Sequence, residues 1–323
     1  MTLDKGKYAH LYHSMLRIRR FEEAAIDAFS AGKIPGFIHS YIGEEAIAVG
    51  VCAALEPGDQ ITGTHRGHGH CLAKGMRMDR MMAELFGKQT GYNKGKGGSM
   101  HITDFQSGVL GCNGIVAGGI GLATGAAWGH QVLRTGRVVA CFFGDGAINR
   151  GSFHEAVNMA SIWRLPVVYV VEANGWGISM ATSRAINLND LSERAKAYGI
   201  PGVGVDGYDV LAMYEAALAA VVRARSGDGP TMLVCYAPRI RGHEEGDPQT
   251  YRSKEDVEKA KRNDPLPRYR AFLLQHHILS EEELGEMERQ VEAEVAEAVR
   301  FADESPYPAP EEALEDLFVE GVW

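Results

Sequence analysis

The sequence lacks any disulfide or zinc-binding cysteine pattern. Its cysteines are five in number, an odd count, and no two of them show C-x-x-C spacing. Scattered cysteines of this kind are typical of reduced, buried thiols in a cytosolic protein. They stand at Cys52, Cys71, Cys112, Cys141 and Cys235. We therefore expect a cytoplasmic protein without structural disulfides.

Long apolar runs and excess positive charge are also missing. The N-terminus MTLDKGKYAH carries no signal-type apolar segment, and no stretch approaches the ~20 apolar residues that cross a bilayer. The formal net charge is −9, with no long basic run. This charge argues against nucleic acid and anionic membrane as partners, and favours a small-molecule substrate.

Two apolar runs of strand length flank an amphipathic segment in the middle of the chain. RVVACFF ends just before Gly144, PVVYVV ends just before Glu172, and residues 153–163 between them show helical periodicity. This alternation is the signature of a right-handed βαβ unit in an α/β fold. Asp145 and Asn174 each follow the carboxyl end of a strand, so we expect them to lie side by side.

A carboxylate and an amide oxygen at one point suit a hard divalent cation. Mg²⁺ prefers oxygen ligands and keeps few protein carboxylates. We predict a metal site formed by Asp145, Asn174 and the backbone carbonyl of Trp176. Gly144 and Gly146 would let the backbone approach a diphosphate, and the next helix start would offer free N–H groups.

The two motifs resemble the thiamine diphosphate signature. GDGAIN at 144–149 precedes EANGWGIS at 172–179 by about one βαβ unit. With the chain around them, from Tyr12 to Arg270, they resemble the alpha subunit of the first component of acetoin and 2-oxo acid dehydrogenase complexes. One departure is Ala173, where the family usually has asparagine; the ligand position at Asn174 is kept.

The resemblance implies a fold and a domain plan. We expect a thiamine-diphosphate-binding α/β fold, with a central, mostly parallel sheet and helices on both faces. Residues 1–275 would form this domain, and residues 276–323 a helical C-terminal extension and tail. Two helix predictions come from the residues themselves: a surface helix over 3–31, and a helix near 280–301 whose Ser280 and Glu283 form a capping-box pattern.

The resemblance also implies the cofactor-binding positions. They are His65, Arg66, Gly114, Val116, Gly144, Asp145, Gly146, Ala147, Asn174 and His243. A planar guanidinium at Arg66 suits diphosphate oxygens, and imidazoles can carry protons near neutral pH. We expect His39, His68 and His243 to be the candidates for proton transfer. Glu244 stands where the mitochondrial members carry a regulatory serine, so that phosphorylation switch is absent.

Two other interpretations compete at single motifs. His65, His68 and His70 could suggest zinc, but their spacing is wrong, no cysteines accompany them, and Arg66 would repel a cation. Gly119-x-Gly121-x-x-x-Gly125 could suggest NAD(P), but its third glycine is displaced and no convincing strand precedes it. Close packing of a small-residue helix against a neighbour fits the glycines better.

The resemblance finally implies partners and a substrate. No glutamate of this chain lies in a motif for activating the aminopyrimidine ring, and in the family the beta subunit of an α2β2 assembly supplies it. The motifs THRGHGH at 64–70 and GHEEGDPQTYR at 242–252 look like acetoin dehydrogenase. This implies cleavage of acetoin to acetaldehyde, with the hydroxyethyl unit passed to a lipoyl group on the second component. Pyruvate or a branched-chain 2-oxo acid is the alternative substrate, and a non-catalytic scaffold is a further alternative.

Overall fold

The centre of the molecule is a five-stranded parallel sheet, seen in a computed structural model that describes residues 3–316. Its strands lie in the order β1-β2-β3-β7-β6, and β4 and β5 form a separate antiparallel hairpin. The bounds are β1 Gln60–Thr62, β2 Val139–Gly144, β3 Val167–Ala173, β4 Trp176–Gly177, β5 Met180–Ala181, β6 Gly202–Asp206 and β7 Thr231–Tyr236.

Helices cover both faces of this sheet, which confirms the predicted α/β class. They are α1 Lys5–Ser30, α2 Glu45–Ala54, α3 Gly67–Ala73, α4 Met78–Leu85, α5 Gly118–Val132, α6 Gly151–Ile162, α7 Thr182–Ala185, α8 Val210–Arg225, α9 Lys254–Arg262, α10 Pro265–Gln275 and α11 Glu281–Glu304. Shorter 3-10 segments cover Asp145–Asn149, Leu191–Tyr198 and Pro310–Leu314. None of the helices within 3–316 is long and apolar enough to cross a membrane.

The sheet strands are apolar throughout because both of their faces are buried. Along β2, Ala140 and Phe142 join the core beneath α1, α2 and α8, whereas Cys141 and Phe143 join the core beneath α5 and α6. When both faces of a parallel strand are covered, every side chain of the strand is buried, so alternate positions are not polar as they are in a half-exposed strand. This explains why RVVACFF and PVVYVV are continuous apolar runs, and why β2 and β3 pair directly, with Gly144 opposite Glu172.

The first helix is more deeply buried than the predicted surface helix, and that part of the prediction is wrong. Arg19 and Glu22, two charged residues of this helix, are 8% and 0% exposed. Arg19 donates to Glu45 Oε1 at 2.6 Å and to Asp264 at 2.9 Å. Paired charges of this kind can be buried, and an amphipathic pattern alone does not distinguish them from solvated ones.

The C-terminal helix packs into the core next to α1. It begins with the predicted capping box, in which Ser280 and Glu283 bond each other's backbone N–H groups. Leu284 and Val291 are fully buried in the same apolar cluster as α1, and the following Ser305 contacts the loop at Lys88. The division of the chain at 275/276 therefore stays a prediction, and residues 317–323 lie outside the described part.

Candidate active site

A cavity of about 280 Å³ lies at the carboxyl edge of the sheet. Segments that follow four adjacent strands, β1, β2, β3 and β7, meet there, because parallel strands end at the same edge. Of the residues predicted to bind cofactor or metal, those that line it are His65, Arg66, Val116, Gly144, Asp145, Gly146, Ala147, Asn174, Trp176 and His243. Gly114 is outside the lining but lies between the lining residues Asn113 and Ile115.

Asp145 is fixed at the end of β2 by three donors. Its Oδ1 accepts from the backbone N–H of Gly146 at 2.9 Å, and its Oδ2 accepts from the N–H of Gly175 at 3.0 Å and from Thr182 Oγ1 at 2.5 Å. The residue is 1% exposed, and this burial raises the pKa of its carboxyl. The carboxylate is therefore held in one orientation, and one of its donors belongs to Gly175, the residue that follows Asn174.

Asn174 is oriented by a buried carboxylate that the sequence did not reveal. Its Nδ2 donates to Glu44 Oε1 at 3.2 Å, and its Oδ1 accepts from the N–H of Trp176 at 3.3 Å. Glu44 Oε2 is buried without a partner. Burial, followed by the nearby Glu172 carboxylate, raises the pKa of Glu44 to about 8. The amide oxygen of Asn174 is thereby turned away from Glu44.

The side-chain oxygens of Asp145 and Asn174 fit a divalent cation, and the backbone at Gly144 leaves room for a diphosphate beside it. The donor set consists of a carboxylate, an amide oxygen and backbone carbonyls, which are the ligands that Mg²⁺ accepts. A Cβ added at Gly144 would meet no atom within 4 Å, so the backbone there borders open space in the cavity. The short 3-10 segment Asp145–Asn149 follows directly, and its first three residues line the same cavity.

Two buried arginines face this oxygen cluster across the cavity. Arg66 donates to the carbonyls of Ser40 at 2.9 Å and His243 at 2.6 Å, and it is 3% exposed. Burial lowers the pKa of Arg66 to about 10, so the group stays cationic. Arg239 donates to Tyr251 Oη at 2.8 Å, and its Nε is buried without a partner. A buried pair of guanidinium groups in a cavity is suited to an anionic ligand.

Three imidazoles from separate loops meet beside these arginines. The rings of His39, His65 and His243 lie 4.7 to 5.3 Å apart, centroid to centroid. Burial, followed by the charge of Arg66, lowers the pKa of His39 to about 3, of His65 to about 2 and of His243 to about 4. The three rings are therefore neutral at pH 7. Buried nitrogens without partners, His39 Nδ1 and His65 Nε2, remain available to a ligand.

The histidines of the THRGHGH motif separate from one another. Only His65 reaches the cavity. His68 is fully buried between Glu22, at 3.1 Å, and Ser99 Oγ, at 2.9 Å, and it packs edge-on against Phe21. His70 is also fully buried and contacts Glu172 Oε1 at 2.7 Å. Both ring nitrogens of His68 are occupied away from the cavity, so its predicted role in proton transfer has no direct path in this arrangement.

The glycines considered for NAD(P) lie on α5, and no strand leads into them within the described residues. β1 ends at Thr62, and residues 113–117 before α5 are loop. Gly119 packs closely, since a Cβ there would lie 3.2 Å from Thr62 Oγ1. Cβ atoms at Gly121 and Gly125 would meet no atom of residues 3–316 within 4 Å. Close packing is seen at Gly119, and contact of the other two glycines with a neighbour stays a prediction.

Sequence reasoning missed three residues of the site: Glu44, Glu172 and Arg239. Arg239 follows β7 just as Asp145 follows β2, so the rule that ligands bind at strand ends could have found it. Glu172 is the last-but-one residue of β3, inside an apolar run, where a carboxylate needs an explanation. Glu44 stands before α2 among small and apolar residues and belongs to no motif that we recognised.

The fold and the cavity define a parallel α/β protein with a ligand-sized cavity at its strand ends, lined by both carboxylate and guanidinium groups. The family described as "Dehydrogenase E1 component" matches residues 13–311. The chain is 48% identical over 320 residues to the alpha subunit of acetoin:2,6-dichlorophenolindophenol oxidoreductase from Bacillus subtilis, covering 99% of this chain and 96% of that one. It is 43% identical to the protein of the same name from Cupriavidus necator, also over 320 residues, with the same coverage.

A pyruvate dehydrogenase subunit is similar as well. The E1 component subunit alpha from Porphyra purpurea is 41% identical over 327 residues, covering 99% of this chain and 95% of that one. The chain therefore belongs to the dehydrogenase E1 component family, whose members are thiamine-diphosphate-dependent oxidoreductases. The resemblance found from the motifs alone is confirmed.

Proposed function

We propose that this chain is the alpha subunit of an enzyme that cleaves acetoin with thiamine diphosphate and Mg²⁺. The observation that carries the proposal is the cavity in which Asp145 and Asn174 face Arg66 and Arg239. Its oxygen ligands suit a metal and its cations suit a diphosphate. The choice of acetoin follows the 48% and 43% identical relatives, which are both named for acetoin.

The metal would be held by Asp145, Asn174 and the backbone carbonyl of Trp176. Asp145 is preorganised by its three donors, and Asn174 by Glu44, so neither side chain has to be ordered when the ion binds. The positions Gly114, Val116, Gly144, Gly146 and Ala147 would contribute backbone contacts to the cofactor.

The diphosphate would be bound by Arg66, with His65 and His243 beside it. The guanidinium of Arg66 already donates to the backbone carbonyl of His243. This hydrogen bond holds the Arg66 cation next to the His243 imidazole. Neutral imidazoles can donate or accept a hydrogen bond according to tautomer. We assign His39 and His243 to proton transfer near the reacting centre. His68, whose two ring nitrogens are bonded away from the cavity, would instead hold Glu22 in place; Glu22 Oε1 also accepts from the N–H of Tyr41.

Thiamine diphosphate, when bound, supplies a carbanion that attacks the substrate ketone and allows the neighbouring carbon–carbon bond to break. This chain would anchor the cofactor and hold protons at His39 and His243. Acetaldehyde would be released, and the remaining hydroxyethyl unit would pass to a lipoyl group of a second component, whose S–S bond is reduced as the unit is oxidised to an acetyl thioester. The reaction would take place in the cytoplasm.

A beta subunit would complete the site in an α2β2 assembly. The cavity rim carries Ile115, Val116 and Ile178, whose side chains are 69%, 53% and 60% exposed. Exposed apolar groups around a binding cavity favour coverage by another protein surface. The similar proteins are named as alpha subunits, which supports the same assembly.

The test is dye reduction by the reconstituted complex. The chain is co-expressed with the beta subunit from its genomic neighbourhood and assayed with acetoin, pyruvate and a branched-chain 2-oxo acid as separate donors. We expect acetoin to give the highest kcat/KM, and activity to require both thiamine diphosphate and Mg²⁺. Higher kcat/KM with pyruvate would move the assignment to pyruvate dehydrogenase, for which the similarity to the Porphyra purpurea subunit is the supporting observation.

A further inference from the structure

A second cavity lies at the opposite edge of the sheet and is strongly basic. It measures about 250 Å³ and borders the starts of β2 and β3, at Arg137 and Pro166. We call it the arginine pocket, after its lining residues Arg134, Arg137, Arg164 and Arg225. No acidic side chain of the described residues lines it, although the chain as a whole carries a net charge of −9.

Three of these arginines are free of internal partners. Arg225 is paired with Asp59 at 2.6 Å and also donates to the Gly136 carbonyl at 2.6 Å. The side chains of Arg134, Arg137 and Arg164 make no hydrogen bond or ion pair within residues 3–316. Most other arginines of that part of the chain do, for example Arg19, which bonds two carboxylates.

The helix C-termini at this edge carry negative charge and offset only part of the positive charge of the arginines. In a parallel α/β sheet the helices run opposite to the strands, so α5, α6 and α8 all end near the starts of the strands. Each C-terminus carries roughly −0.5 of an elementary charge, so the three contribute about −1.5. Arg134, Arg137 and Arg164 contribute about +3. The pocket therefore keeps a positive charge of about 1.5.

The frame that carries these arginines is held in place by other contacts. His130 contacts Gln60 Oε1 at 2.8 Å through Nε2 and Thr135 Oγ1 at 3.0 Å through Nδ1. Gln131 Nε2 donates to the carbonyl of Trp163 at 3.0 Å, which links the end of α5 to the end of α6. The backbone segments that carry the arginines are therefore fixed by these contacts. A guanidinium group can bind phosphate oxygens through paired N–H donors.

We propose that the arginine pocket binds a small phosphorylated anion, in particular the diphosphate group of a nucleotide, at a site separate from the cofactor cavity. The two sites lie at opposite edges of one sheet. Both can therefore be filled at once, and the pocket can be tested while the cofactor cavity is saturated.

The experiment is calorimetric titration of the assembled alpha–beta complex, saturated with thiamine diphosphate and Mg²⁺. Inorganic pyrophosphate and ADP are titrated separately, so that the diphosphate and the nucleoside contributions are distinguished. We compare the wild type with the double variant Arg134→Gln/Arg164→Gln. The matched control is Arg262→Gln; Arg262 is an exposed residue at the end of α9 whose side chain also makes no hydrogen bond or ion pair within residues 3–316. A scan of thermal unfolding confirms that each variant is folded.

We expect both probes to bind the wild type and to bind the double variant at least about tenfold more weakly, since two charge-assisted contacts are lost. The Arg262→Gln control should bind like the wild type, and all three proteins should have the same activity without the probes. Three results would each overturn the proposal: no binding to the wild type, unchanged binding to the double variant, or an equal loss in the control. None of them bears on the acetoin reaction, which is assayed separately.

Discussion

The two sides of the cofactor cavity are built in different ways. Asp145 and Asn174 stand directly at the ends of the paired strands β2 and β3, and backbone N–H groups hold both side chains. Arg66 and His243 lie on loops and are held mainly by each other, across 177 positions of the chain. The strand side is positioned by the sheet itself, whereas the loop side depends on contacts between loops.

This difference predicts that the strand-end side chains keep a fixed position, whereas the loop side chains can adjust to a ligand. Because the Asp145 carboxylate accepts three hydrogen bonds at the end of β2, a change in its orientation would break them. A loop residue such as Arg66 can adjust when the cofactor or the beta subunit arrives, since loops are the more mobile parts of a domain. We therefore expect substitutions on the strand side to weaken cofactor binding strongly, and substitutions of the loop-side histidines to affect turnover more than binding.

Asp145→Asn should have the largest effect. It removes the negative charge that faces the metal but keeps an oxygen that can accept from Gly175. We expect the affinity for thiamine diphosphate with Mg²⁺ to fall by about 100-fold or more, while the unfolding temperature changes little. Titration calorimetry measures the loss, with Asp256→Asn on α9 as the control. Cofactor affinity within threefold of the wild type would show that the strand side does not hold the metal.

The second prediction compares two histidines. His243→Ala, on the loop side, should lower kcat by ~10²-fold or more with a smaller effect on cofactor affinity. His68→Ala should instead lower the free energy of unfolding by about 2 to 4 kcal/mol, because it leaves the buried carboxylate of Glu22 without one of its donors. Chemical unfolding and steady-state kinetics separate these outcomes. A stable His68→Ala protein with low kcat would restore His68 as a group acting in the reaction.

The third prediction concerns Glu44, which orients Asn174. Glu44→Gln keeps an oxygen that can accept from Asn174 Nδ2, so Mg²⁺ affinity should stay within about threefold of the wild type. Glu44→Leu removes the acceptor and should weaken Mg²⁺ binding roughly tenfold, as is usual when the partner of a metal ligand is lost. The measurement is the Mg²⁺ concentration that gives half of the cofactor-induced thermal shift. Equal affinities for both variants would mean that Glu44 does not orient the ligand.

The smallest effect should be the pH dependence of stability without cofactor. The folded-state pKa values of His39, His65 and His243 are about 3, 2 and 4, whereas an unfolded histidine has a pKa near 6.5. Between pH 6.5 and about 4 the unfolded chain binds more protons, by roughly two to three for these residues, so stability falls as pH falls. Urea unfolding at several pH values tests this. The slope should be shallower in the triple His→Gln variant; an unchanged slope would contradict the lowered pKa values.

The strand side could be predicted from the residues, and the loop side could not. Asp145 and Asn174 follow from two apolar runs and the rule that ligands bind at the ends of parallel strands. Arg66 and His243 are far apart in sequence, and their contact depends on tertiary structure that no periodicity records. Only the family resemblance brought them into the predicted site. The resemblance also suggested His68. No short motif could indicate that this histidine is buried against Glu22.

The same limit applies to buried charges. Arg19, Glu22 and Glu44 look like solvated residues in the sequence, because pairing partners such as Asp264 lie far along the chain. The hydrophobic pattern predicted the helices and the sheet strands well, since it reflects which faces are covered. It does not report which polar groups are paired inside.

The most direct measurement is anomalous scattering from crystals of the alpha–beta complex grown with thiamine diphosphate and Mn²⁺ in place of Mg²⁺. The account predicts one strong Mn²⁺ peak per cofactor cavity, at about 2.0 to 2.3 Å from an oxygen of Asp145 and from Asn174 Oδ1, with the diphosphate between it and Arg66. A peak at the imidazoles of His39, His65 and His243, or a diphosphate bound away from Asp145, would contradict it.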